Sequence, residues 1–147
     1  MSRTTFSPAL RAILPVEQGE AIEAFVRVGR DKSMRQYIAA LEDAARRFAF
    51  LDAGCFSDRT LLHYATLDKR NHWFVTAKAL PCGPNPLWIG ITVKDGEVAN
   101  PFAKIEPRWL LLRHGVILDP YFKPMSASAI RAGDRTALNT TPQPERN

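Results

Sequence analysis

Residues 72–105 read HWFVTAKALPCGPNPLWIGITVKDGEVANPFAKI, and this stretch decides the fold. From His72 to Leu80 the chain alternates, with Trp73, Val75, Ala77 and Ala79 on one side and Phe74, Thr76 and Lys78 on the other. A period of two is strand behaviour. Pro81-Cys82-Gly83-Pro84-Asn85-Pro86 interrupts it as a loop, because three prolines fix φ and remove backbone donors. Leu87–Lys94 resumes as a second strand, with Leu87, Ile89, Ile91 and Val93 on one side. Asp95-Gly96 is a two-residue hairpin signal. Glu97–Ile105 then returns antiparallel, and Pro101 inside it marks an edge strand or a bulge.

Outward toward the C-terminus, Pro107 to Arg113 reads as one short helix, with Pro107 at its first position and Gly115 just past its end. A competing reading makes Trp109–Leu112 another strand. Val116-Ile117-Leu118 reads as a buried strand ended by Asp119-Pro120. From Lys123 onward the large apolar residues thin to Met125, Ile130 and Leu138, which predicts a partly disordered tail over 123–147.

Toward the N-terminus the period becomes helical. Residues 1–16 read as a lead-in. A first helix is expected from Glu17 to Arg27, with Ile22, Phe25 and Val26 on one stripe. A second opens on the capping-box pattern Ser33-x-x-Gln36 and repeats Met34, Ile38, Leu41, Ala45 and Phe48. Its outer face offers the pairs Glu42–Arg46 and Asp43–Arg47. Phe48-Ala49-Phe50-Leu51 reads as a short buried strand, and Ser57 as the cap of a third helix from Asp58 to about Leu67. Helices first and strands after predict an α+β fold: two or three N-terminal helices packed on a mostly antiparallel sheet of four to five strands. The expected organisation is a single domain over 1–122 followed by the tail, 123–147.

The 147 residues are 46% hydrophobic and 24% charged, which excludes a wholly disordered chain. No apolar run approaches the roughly 18 residues that span a bilayer, and the first residues lack a long apolar segment, so a cytoplasmic protein with no membrane partner is expected. Cys55, Cys82, His63, His72 and His114 show no C-x₂-C, H-x₃-H or H-E-x-x-H spacing, so no metal and no cofactor is expected. The net charge of +5 divides as +2 over residues 1–50, zero over 51–100 and +3 over 101–147. It forms no basic arm.

Two function readings follow. In the first, the chain is a non-catalytic binding or regulatory protein. It meets a protein or nucleic-acid partner through its basic, aromatic-rich second half, with Arg70, Trp73, Lys78, Lys94, Lys104, Arg108 and Arg113 as contact residues and Phe74, Trp88, Trp109 and Tyr121 as further aromatics. In the second, it is a cysteine hydrolase. Cys55 would sit at a helix start, where the dipole lowers a thiol's pKa, with His114 (or His72) as base and Asp119 orienting it.

The order of helix-start cysteine, histidine and aspartate resembles that of transglutaminase-like and papain-like cysteine hydrolases. That resemblance implies Cys55 as nucleophile with His114 and Asp119. Separately, Leu51-Asp52-Ala53-Gly54-Cys55-Phe56-Ser57 and His72-Trp73-Phe74-Val75-Thr76-Ala77-Lys78 together resemble the second-aspartate region of insertion-sequence transposases of the DDE type. There Asp52 would be a metal-binding carboxylate at a strand end. Two-metal chemistry needs several converging carboxylates, and this chain has no counterpart of the other two. The resemblance therefore implies a shared strand–helix–strand unit or a mobile-element ancestry, not transposition. The hydrolase reading expects Cys55 to react with iodoacetamide at neutral pH faster than Cys82, and a buried, unreactive Cys55 with no histidine nearby excludes it.

Overall fold

The computed structural model describes residues 6–28, 32–52, 54, 58–79 and 86–135. Helices α1 (Pro8–Arg11), α2 (Val16–Val28) and α3 (Lys32–Ala49) come first. Strands β1 (Arg59–Thr60), β2 (Leu62–Thr66), β3 (Asn71–Lys78), β4 (Trp88–Lys94) and β5 (Glu97–Ile105) follow. The chain then forms α4 (Pro107–Leu112), β6 (Val116–Leu118), β7 (Met125–Ser126) and α5 (Ala127–Arg131). Five strands pair antiparallel in the order β5-β4-β3-β2-β6, and β1 pairs with β7 in a small second ladder. The fold is α+β. Among the described residues no helix is long and apolar enough to cross a membrane.

The stretch read first supplies the centre and one edge of the sheet. At the β4–β5 turn Asp95 has φ 52° and Gly96 φ 84°, the two positive values that a primed hairpin turn requires. Pro101 lies where β5 carries one residue more than β4, between the pairs Thr92↔Asn100 and Gly90↔Ala103. β5 is the open edge there, so the missing backbone donor leaves no ladder bond unmade. At the opposite edge, the buried Gln18 side chain of α2 bonds both backbone groups of Leu118: its Oε1 accepts from the amide at 2.7 Å and its Nε2 donates to the carbonyl at 3.0 Å. A side chain thus does for β6 what a sixth strand would do.

β3 is buried on both faces from His72 to Ala77. On one face Trp73 and Val75 join Tyr64, Trp88, Ile105 and Leu118 beneath Leu10, Ile13, Leu41, Phe48 and Leu110 of the helical layer. Tyr64 is fully buried, donates its hydroxyl to the carbonyl of Ile13, and has its phenol pushed up by desolvation. On the other face Phe74, Ile91 and Val93 pack under Phe122, Ala127 and Ile130.

Several expectations change. Phe48–Leu51 is not a strand: α3 runs on to Ala49, Phe48 is its last buried anchor and Phe50 is 80% exposed. The helical period carries Phe48 onto the buried face after Leu41, Ala44 and Ala45, so the helix keeps its hydrogen-bond ladder to Ala49. The expected helix from Asp58 to Leu67 is instead β1 and β2. Leu62 and Tyr64 alternate onto the helical layer, and β2 pairs with β3 on one side and β6 on the other. The strand–helix–strand order behind the transposase resemblance is therefore not what forms, and Asp52 lies exposed after a helix. Trp109–Leu112 is helical, with Pro107 in the first turn and Gly115 at φ 78°. Glu42 does not pair with Arg46. Its carboxylate accepts from the amide and hydroxyl of Ser7, which caps α1, while Asp43 takes both Arg46 and Arg47 at 2.7 Å. Of the expected tail, residues 123–135 carry β7 and α5; Asp58 fastens α5 by accepting from the hydroxyls of Ser126 and Ser128 and the amide of Ser128. Residues 136–147 lie outside the described residues.

Gly90 tests the central packing. A Cβ there would overlap the backbone oxygen of Phe74 on β3. Gly90→Ala should cost roughly 3 kcal/mol of unfolding free energy, read as a lowered urea midpoint. Gly96→Ala has open space but a positive φ, and should cost only about 1 kcal/mol.

Candidate functional site

α4 lies over the sheet with Pro107 and Leu110 turned inward. At 100° per residue that turns Arg108, Trp109 and Leu112 outward. Trp109 is 51% exposed and Leu112 65%. With Glu106 and Arg113 these residues line an open hollow of about 500 Å³. Arg113 follows the helix and lays its guanidinium 4.9 Å from the Trp109 ring centre and 5.4 Å from that of Trp73. The two indoles meet edge to face at 6.3 Å. Such cation–π contacts hold a planar cation and an aromatic ring in one orientation, so Trp109 is presented at the rim with little freedom left to lose.

The remaining contact residues expected from sequence are dispersed. Arg70 is bound by Asp95 at the hairpin end of the sheet, Nε to Oδ1 at 2.7 Å and Nη2 to Oδ2 at 3.2 Å, and this pairing holds the Asp95 carboxyl below its ordinary range. Lys94 stands opposite Glu97 in the same hairpin. Lys78, at the far end of β3, has its ammonium 4.8 Å from the Phe48 ring centre. Lys104 is exposed on the edge strand. Only Trp73, Arg108 and Arg113 of the expected set come together, and Trp109 joins them.

Cys55 and Cys82 lie outside the described residues. His114 and Asp119 take different partners. The exposed His114 Nδ1 bonds Glu17 Oε2 at 2.7 Å, and Glu17 also accepts from the Gly115 amide at 2.9 Å, the larger of the causes holding its carboxyl low. Asp119 turns instead to His63.

That second contact belongs to a buried chain that sequence reasoning missed. Asp119 Oδ2 lies 3.1 Å from His63 Nδ1, His63 Nε2 lies 2.9 Å from His72 Nδ1, and His72 Nε2 lies 2.8 Å from the Lys69 carbonyl oxygen. The rings are 3% and 2% exposed, and His63 stacks on Phe74 at 4.6 Å between ring centres. All four ring nitrogens are occupied and enclosed, which leaves none to meet a substrate. In the linear sequence the two histidines have no motif. Only the β2–β3 register, with His63 opposite Phe74 and His72 opposite Ala65, sets them diagonally on one face. Among the described residues no group of three or more His, Cys, Asp or Glu side chains is arranged to hold a metal ion.

No family model matches the chain, and neither a curated protein nor a solved structure matches it.

Burial, then the charge of His63, holds the His72 imidazole below its ordinary value of 6.5. The unfolded chain therefore takes up a proton at this position before the folded one does. Stability should fall as pH drops below about 6.5, and His72→Phe should flatten that acid limb in urea titrations between pH 5 and 6.5.

Proposed function

We propose that this is a non-catalytic binding protein whose contact face is the outer side of α4, and that its partner is another protein. The observation that supports this most is the half-exposed Trp109, propped by Arg113 against Trp73 at the rim of the hollow. Tryptophan and arginine dominate the energetics of protein interfaces because they bring large area with few rotatable bonds. Leu112 adds an apolar contact beside them.

A nucleic-acid partner has less support. A backbone-tracking site needs a run of free cations. Here Arg70 is neutralised by Asp95, Lys78 and Lys104 lie elsewhere, and Glu106 puts a negative charge into the hollow with Arg108 and Arg113. A partner presenting an apolar anchor flanked by a carboxylate fits those two arginines best.

The test uses the full chain carrying a photo-crosslinking phenylalanine analogue at Leu112, with the same group at Glu20 as control, in lysate of the source cell. A discrete adduct at Leu112 that is absent at Glu20, and is reduced at least tenfold by Trp109→Ala with unchanged circular dichroism, supports the reading. Equal labelling at both positions overturns it. So does salt-sensitive binding of a single-stranded oligonucleotide that quenches Trp109.

A further inference from the structure

The Asp119–His63–His72–Lys69 chain has a proton count that its geometry dictates. At one end the acceptor is a backbone carbonyl, so His72 Nε2 must donate. In a neutral ring His72 Nδ1 then accepts, and His63 Nε2 must donate to it. At the other end stands a carboxylate, an acceptor with no proton of its own when ionised. Its Oδ1 already accepts from the Tyr121 amide at 2.9 Å. Three hydrogen bonds between two acceptors need three protons on four ring nitrogens, and two neutral imidazoles carry two.

We propose that the folded protein holds one buried proton beyond those of two neutral rings. His63 is an imidazolium facing the Asp119 carboxylate, and His72 is neutral with its proton on Nε2. Without that proton a bare lone pair of His63 Nδ1 faces the carboxylate oxygen at 3.1 Å in a setting closed off from water, where an unmade polar contact is costly. Among the described residues no buried side-chain nitrogen or oxygen lacks a partner, which this count satisfies.

The neighbouring elements decide which ring holds the proton, against the cost that burial puts on any imidazolium. β3 supplies Phe74, and the segment after β6 supplies Phe122, 5.4 Å from His63 between ring centres; both are apolar faces that exclude water. The cations facing the pair are Lys69, in the β2–β3 turn, and Arg135, beyond α5; both act on His72 and keep a second proton off it. Near Asp119 stand the phenols of Tyr37 on α3 and Tyr121; burial raises the Tyr37 phenol, so it stays uncharged through the neutral range. Among the described residues, the carboxylate bonded to the pair is that of Asp119. The chain ties β2, β3 and the start of the C-terminal segment that covers the second face, so the proton acts as a latch between them.

The sign of the pH dependence follows. Above about 6.5 the unfolded imidazoles shed both protons, while the folded pair keeps one. The folding equilibrium constant should then fall by about tenfold per pH unit above 6.5, until the folded protein loses the proton as well. Asp119→Asn removes the requirement, because the amide N–H can donate to a neutral His63 Nδ1. The variant should show no alkaline fall between pH 6.5 and 8.

Two measurements decide the matter. Nitrogen-15 spectra of the imidazole rings of the full chain at pH 7 should show both His63 nitrogens protonated and His72 with one. Urea titrations from pH 6.5 to 8 should fall for the wild type and stay level for Asp119→Asn. A His63 with one unprotonated nitrogen at pH 7 overturns the proposal, as does an alkaline fall of equal size in the variant. If Asp119→Asn does not fold, the wild-type spectra alone decide.

Discussion

β3 carries buried side chains on both faces, and it can do so only if the sheet is covered on both sides. The helical layer meets Trp73 and Val75, while the C-terminal segment meets Phe74 with Phe122, Ala127 and Ile130. The second cover is the smaller cluster, and polar contacts add to its apolar packing. Asp58 holds the start of α5 through Ser126 and Ser128, and Asp119 holds the start of the segment through His63. A buried polar chain is worth most when every member is satisfied and costs most when one is not, so the Asp119–His63 contact bears on the whole second face.

The first face carries the candidate contact surface, and the same packing places it. Pro107 and Leu110 must be inside for α4 to sit on the sheet, and the helical period then sends Trp109 and Leu112 outward. Trp73 is shared: its indole belongs to the core and also supports Arg113. The surface is thus built on a rigid element, which limits the ordering cost of binding.

Much of the fold was legible in sequence because its signals are local. The alternation of His72–Val75, the Asp95-Gly96 turn and Pro101 at an edge need only neighbouring residues and form as read, whereas a bulge between Val75 and Ala77 breaks the period and puts Lys78 over Phe48 on the helical side. Residues 58–67 were illegible for the opposite reason. Leu61-Leu62-His63-Tyr64-Ala65-Thr66 is compatible with helix or strand by local preference, and pairing with β3 and β6 decided it. The candidate site was legible in part. Arg108, Arg113 and Trp73 could be named from composition, but nothing in the chain tells that Arg70 is bound to Asp95 while Arg113 lies between two indoles.

By itself the sequence determined the fold class, the primed hairpin, the edge position of β5 and the amphipathic α3, because periodicity and turn stereochemistry act over a few residues; the stripe expected for α2 fails at Phe25, which is exposed while Gln18 and Gly19 are buried. The tertiary structure alone decided that Glu42 serves Ser7 instead of Arg46, that Gln18 closes the β6 edge, and that His63, His72 and Asp119 form one hydrogen-bonded chain. Those contacts join residues separated by 35, 100 and 56 positions, and no local preference encodes a hydrogen bond whose partner arrives only when the sheet closes.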